Sequence, residues 1–234
     1  MGEGGTAIIV GVGPGLGLAL VERFAREGFK VAAAARRRDA VAGLVKDKAG
    51  VRAYACDAGD PASVAELFAA ATRDLGAPNV VIYNASGFAR GGIAELDPAE
   101  FERAWRVGCF GGFLVGQAAA RALVPKGAGT ILFTGATASL RGSANFAGFA
   151  AAKFGLRAVA QSMARELGTK GIHVAHVIVD GQIESERYRH LLGERGPDSL
   201  LAPAAIADAY WHLHRQARSA WTQELDLRPW VERF

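Results

Sequence analysis

The chain of 234 residues is poor in sulfur. It has only two cysteines, Cys56 and Cys109, and two methionines. Two cysteines cannot staple a disulfide framework, and they point to a reducing, cytoplasmic setting. No apolar run reads as long enough to span a membrane, and no signal peptide precedes the first strand-like segment. Metal-ligand spacing is also missing. His173 and His176 sit three apart in a strand-like run, so they point to opposite faces. His190, His212 and His214 lack cysteine or carboxylate partners at zinc spacing. The net charge of +4 is mild, and no basic stripe interleaved with aromatics suggests nucleic acid. The opening Met1-Gly2-Glu3-Gly4-Gly5-Thr6 matches a myristoylation pattern, but a core strand already begins at Thr6. No linker, repeat or low-complexity stretch divides residues 1–234, so one domain is expected.

What is present is a regular alternation. Half the residues are apolar. Runs at 6–10, 30–35, 51–55, 79–83, 130–134 and 172–179 are short and nearly continuously apolar, as in strands covered on both faces. Each of the first five precedes a longer helical pattern: to about 28, to about 49, about 62–75, 98–123 and 146–168. A polar, irregular stretch follows the sixth strand, then a helix near 203–215 and a last strand near 221–227. Such alternation implies right-handed βαβ units and an α/β, doubly wound parallel sheet of Rossmann type, with three αβα layers. The stretch 182–202 is expected to be a mobile lid over the substrate. It follows a strand end, where such sheets place their ligands.

The first strand runs into Gly11-Val12-Gly13-Pro14-Gly15-Leu16-Gly17. A glycine loop between strand and helix lets backbone N–H groups approach a pyrophosphate, with the helix N-terminus facing the charge. Pro14 fits the tight turn. The second strand ends Ala35-Arg36-Arg37-Arg38, with no acid to accept from a ribose 2′-hydroxyl. Arg36 and Arg37 suit a 2′-phosphate instead, so NADP(H) is the expected cofactor. Asp57, followed by Ala58, lies where an adenine ring would rest. Its alternative role is a helix cap, for which Asp60 is better placed.

These residues together resemble the short-chain dehydrogenase/reductase family over almost the whole chain. The glycines at 11, 15 and 17 match its cofactor loop, and Asp57 matches its adenine-side aspartate. Asn84-Ala85-Ser86-Gly87 resembles its Asn-Ala-Gly stretch after the fourth strand. Lys153 matches the family lysine, which holds the nicotinamide ribose and lowers the pKa of a catalytic tyrosine. Ile183 falls in the loop that the resemblance places beside the cofactor. The resemblance breaks at the proton relay. Residues 149–153 read FAAAK where the family has Tyr-x-x-x-Lys, so Phe149 stands at the tyrosine. Ala136 stands at the serine, and Gly108 at the helix asparagine. The strand-end Pro-Gly reads Asp180-Gly181.

The resemblance thus implies an NADP(H)-dependent oxidoreductase with an altered relay, acting on a small carbonyl, enone or imine. A catalytically silent NADP(H)-binding protein and a non-redox enzyme on the same scaffold are the alternatives. Lys153, Asp180, Ser139 and Tyr188 are the candidate catalytic groups. Asp180 is either a desolvated acid or a bond to the Gly181 turn. Tyr188 is either a lid phenol or a packing contact, and Ser139 either a site hydroxyl or part of a surface turn. Trp105, Phe110 and Phe113 are expected in the core or at a subunit contact of a homodimer or homotetramer, pairing through the helices at 98–123 and 146–168.

Overall fold

Alternate residues along a strand face opposite ways, and this chain places apolar groups on both sides. Ile8 and Ile9, adjacent in the first strand, enter two different cores. In the computed structural model, which describes residues 4–232, the strands are β1 (Thr6–Val10), β2 (Lys30–Ala35), β3 (Val51–Ala55), β4 (Val80–Tyr83), β5 (Gly129–Thr134), β6 (Ile172–Val179) and β7 (Glu224–Leu227). They form one parallel sheet in the order β3-β2-β1-β4-β5-β6-β7. Ile8 lies opposite Ala32 on one side and Val81 on the other. The order reverses between β1 and β4, which opens a crevice at the carboxyl ends of the strands.

Helices α1 (Leu16–Arg26), α2 (Arg38–Val45), α3 (Pro61–Leu75), α4 (Pro98–Trp105), α5 (Gly111–Leu123), α6 (Ala147–Gly168), α7 (His190–Arg195) and α8 (Pro203–Arg215) complete the layers. One core joins Ile8, Val81 and Ile131 to Leu67 and Phe68 of α3, Val115 of α5 and Leu156 of α6. The other joins Ile9, Val31 and Val177 to Leu20 and Phe24 of α1, Val41 of α2 and Tyr210 of α8. Local sequence sets several helix starts. Asp60 accepts from the N–H groups of Ala62 and Ser63 ahead of α3, and Asp97 from Ala99 ahead of α4, each followed by proline at the first helical position. By contrast, α1 has no side-chain cap.

Four expectations are corrected. The helix expected over 98–123 is interrupted by a π-helical segment, Arg106–Phe110, which contains Gly108. The 29-residue stretch Pro98–Lys126 is long and apolar enough to cross a membrane by length and composition. It instead packs as a core helix. A Cβ on Gly112 would lie 2.2 Å from Leu156 Cδ1, and one on Gly116 2.8 Å from Met163 Sδ. The stretch 182–202 is not structureless. It holds a 3₁₀ turn (Glu186–Tyr188) and α7, and is closed at its base by an Ile183–Leu201 bridge. The last strand begins at Glu224 rather than near 221. The first three residues of the acylation pattern Met1–Thr6 lie outside the described residues.

Candidate active site

The glycine loop after β1 is shaped by two close backbone approaches. Gly11 has φ +95°, and a Cβ there would meet Ala85 N at 2.3 Å. A Cβ on Gly17 would meet Gly11 O at 2.7 Å. Side chains at these positions would separate β1 from β4 and α1 from its loop. Gly13 and Gly15 differ: nothing lies within 4 Å of a Cβ built on either. The open space before them, beside an uncapped helix N-terminus, is a cradle that backbone N–H groups can offer to a phosphate. The residues therefore fit a dinucleotide.

This cradle opens into a cleft of about 440 Å³, lined by Gly11, Gly13, Gly15, Leu16, Gly17, Asn84, Ser86, Phe149, Lys153 and Ile183 among others. Nine of the expected cofactor-side residues thus converge. Pro14, Arg36, Arg37, Asp57, Ala58 and Ala85 do not line it. Arg36 and Arg37 are exposed at the end of β2, whereas Arg38 donates to the Ala53 carbonyl at 3.3 Å. Asp57 is exposed, and its carboxylate accepts from its own turn, from Gly59 N at 3.0 Å; Asp60 makes the helix cap. Asn84 is a structural tie: Nδ2 donates to Gly11 O at 2.9 Å, and Oδ1 accepts from Thr134 Oγ1 at 3.0 Å.

Lys153 lies on the second turn of α6, 3% exposed. Its ammonium donates to the Thr134 carbonyl at 2.9 Å and sits 5.9 Å from the Phe149 ring centroid. Burial disfavours the charged form and brings its pKa down to about 8. Phe149, one turn earlier on the same face, borders the cleft and a second, outer chamber.

The other catalytic candidates are elsewhere. Ser139 is fully buried rather than in a surface turn; its Oγ accepts from Ala136 N at 3.2 Å. It also lies 3.4 Å from His176 Nε2, and His176 Nδ1 lies 3.5 Å from Glu224. The sequence Ser-His-Glu has the order of a nucleophilic triad, but Ser139 is sealed from substrate, so the network braces β6 against the turn after β5. Burial pushes the His176 pKa down to about 4, which keeps it neutral. Asp180 does not bind the Gly181 turn. Its carboxylate accepts from Thr137 Oγ1 and faces Arg228 at 3.8 Å, so it is not aimed into the cleft as an acid. Thr134 is likewise engaged, with Asn84 and with the buried Tyr210 hydroxyl at 2.7 Å. The hydroxyls nearest Ala136 are therefore all committed within the protein. Tyr188 lines the outer chamber, under the Arg187 guanidinium at 5.3 Å. Trp105 and Phe113 are partly exposed rather than core, and Phe110 stacks between them.

The sequence reading missed the wall role of Phe149 and the outer chamber. Arg90, Arg141, Arg187 and Arg195 meet there, and no local motif joins them.

A family model for short chain dehydrogenases matches residues 5–191. The chain belongs to this family of nicotinamide-dependent oxidoreductases. Among curated relatives, the 3-oxoacyl-[acyl-carrier-protein] reductase MabA of Mycobacterium tuberculosis is 31% identical over 186 residues, covering 80% of this chain and 72% of that protein. The D-threitol dehydrogenase of Mycolicibacterium smegmatis is 29% identical over 74% of this chain and 68% of its own length. A crystal structure of a short-chain dehydrogenase from Rhodopseudomonas palustris superposes with a TM-score of 0.83 at 40% identity, covering 96% of this chain and 98% of that one. An actinorhodin polyketide ketoreductase with NADPH, at 21% identity and a TM-score of 0.87, shares the fold.

Proposed function

We propose that this chain is an NADP(H)-dependent oxidoreductase in which Lys153, rather than a phenol, holds the proton at the reacting centre. One observation carries the reading. Among the residues lining the inner cleft, Lys153 is the only titratable one, and its pKa falls to about 8. A general acid works best with a pKa near the operating pH.

A nicotinamide, when bound, supplies the hydride. The rest falls to the chain. Backbone N–H groups around Gly13 and Gly15 hold the pyrophosphate, and Arg36 and Arg37 take the 2′-phosphate. Lys153 holds the ribose hydroxyls and keeps a proton close to a developing oxyanion. Phe149 excludes water from one side. This arrangement favours a small enone, imine or activated carbonyl, whose demand for a simultaneous proton is lower than that of a plain ketone. The two free, buried cysteines fit a reducing cytoplasmic compartment. Burial lifts the Cys56 thiol to about 11, which makes it inert there.

One observation favours a second reading, a silent NADP(H)-binding protein: the ammonium donates to Thr134 O rather than standing free in the cleft. NADPH consumption against a panel of ketones, enones and imines separates the two. The active form is the ammonium, so turnover is present at neutral pH and is lost as pH rises through about 8. Lys153→Met removes it. Tight NADPH binding with no turnover of any panel member selects the silent reading.

A further inference from the structure

We propose that the outer chamber selects organic anions, molecules with a flat apolar body ending in a carboxylate or phosphate. This rests on the reading of the inner cleft as the site of reaction. The chamber holds about 760 Å³ and shares Thr137, Phe149 and Gly181 with the inner cleft. The two are therefore adjacent, with these three residues at their boundary.

Its charge is one-sided. Four arginines line it, against a single acid, Glu232. Among the described residues none of the four forms an ion pair. Other surface arginines behave otherwise: Arg189, on the same segment as Arg187, pairs with Glu186, and Arg103 and Arg106 elsewhere pair with Glu100 and Glu102. Three of the four are steadied by uncharged partners instead. Arg90 lies over the Phe146 ring at 5.1 Å, and Arg187 over Tyr188 at 5.3 Å. Arg195 donates to Gln182 Oε1 at 3.1 Å. Such contacts orient a guanidinium without neutralising it. A planar fork held this way suits bidentate recognition of a carboxylate or phosphate.

The apolar half of the ligand is set by three rings. Phe88 is 64% exposed, which is costly for a phenylalanine with nothing to cover it. It packs against Phe149 at 5.3 Å and Phe146 at 6.0 Å. The rings form a wall running from the inner cleft toward the arginines. A substrate whose reacting carbon enters beside Lys153 would lay its body on that wall and bring its far end among the guanidinium groups.

The test compares para-acetylbenzoate with its uncharged amide, by calorimetric titration with and without NADPH. Saturating NADPH removes any competition from cofactor phosphates. The acid is expected to bind at least roughly tenfold more tightly than the amide, as a charge-assisted hydrogen bond allows. Arg141→Ala with Arg195→Ala should remove most of that preference, and Arg141→Glu should reverse it. All are exposed positions whose loss leaves the fold intact. Arg189→Ala, outside the chamber, should change nothing. The preference should shrink with added salt. Equal binding of acid and amide in the parent overturns the proposal, as does a preference that survives loss of both arginines. Preferential binding of the acid supports the proposal whether or not NADPH is consumed, because a plain ketone suits the inner site least and the redox reading is decided by the substrate panel. Turnover of both probes with equal KM supports the redox reading and overturns this proposal.

Discussion

Phe149→Tyr, combined with Ala136→Ser, tests the proton relay directly. The Phe149 centroid lies 5.9 Å from the Lys153 ammonium, so a phenol there would sit beside a cation that lowers its pKa. The steric cost should be small. The ring is half-buried, borders two open chambers and leans on Phe88, which is itself exposed and free to shift. A positioned general acid contributes about 10²–10⁴ in rate. Two facts reduce the expected gain. In the proposed mechanism Lys153, with a pKa of about 8, already offers a proton, and Gly108 still leaves the third relay position empty. A gain of about tenfold on simple ketones, roughly 1.4 kcal/mol, is therefore the expectation. The assay is NADPH oxidation across pH. The parent should lose activity as pH rises through about 8; the variant should hold activity higher, because the phenol then carries the proton. NADPH affinity should change little, since the glycine loop is untouched. If the parent reduces simple ketones well, and the variant alters neither rate nor pH profile, the reasoning fails. Tyr188 would then be the next donor to remove, since Asp180 is already engaged by Thr137 and Arg228.

Replacing Arg36 and Arg37 by Ala should remove most of a preference for NADPH over NADH in titrations; equal affinities in the parent would refute the 2′-phosphate assignment. Gly108→Asn should destabilise rather than restore the relay. A Cβ there lies 2.7 Å from Ala152 Cβ, and such overpacking costs about 1–3 kcal/mol, readable as a lower Tm that Ala152→Gly partly rescues. Acid should weaken the fold. Burial lowers both His176 and His214 from 6.5 to about 4. The stability linked to each is present above pH 6.5 and lost as pH falls through about 4, because the unfolded chain takes up protons that the fold refuses. The loss is about 3 kcal/mol for the fully buried His176 and less for the partly buried His214, measurable as a falling urea midpoint. Light scattering should give a dimer or tetramer, with the partly exposed Trp105, Phe113 and Phe154 covered. A monomer mass at all concentrations would reject that assembly.

The sheet was legible because its signals are local. TAIIV and IHVAHVIV are continuous apolar runs, and every residue in both strands is buried. The edge strand Glu224–Leu227 alternates polar and apolar and is only partly buried, so its start was placed too early. The π-helical segment gave no signal, since its extra residue per turn is imposed by packing; Gly108 fits against Ala152 there. The glycine loop and Lys153 were readable for the same reason as the strands: each is a short motif whose neighbours fix its position. Neither alternative for Ser139, a site hydroxyl or part of a surface turn beside Arg141-Gly142, anticipated that it packs buried against His176 on β6. Asp180 was misread because Arg228 arrives from beyond β7. The four outer arginines come from three separate stretches of chain, and only the fold brings them together.

The departures at 149, 136 and 108 are better understood as one change than as three. A tyrosine, a serine and an asparagine would surround Lys153 with hydroxyl and amide groups and the water they hold. Here the ammonium has one carbonyl, Thr134 O, and the face of one phenyl ring. A cation over an aromatic face regains part of its lost hydration, but less than a polar relay would return. The balance lowers the pKa to about 8, close to the pH at which a cell operates. Removing the phenol, on the proposed reading, leaves behind a different acid, a lysine that burial has dried. In the proposed mechanism the retained Lys153 and the missing Tyr are then cause and consequence within a single site. A lysine kept only to bind ribose would gain nothing from being stripped of its polar neighbours.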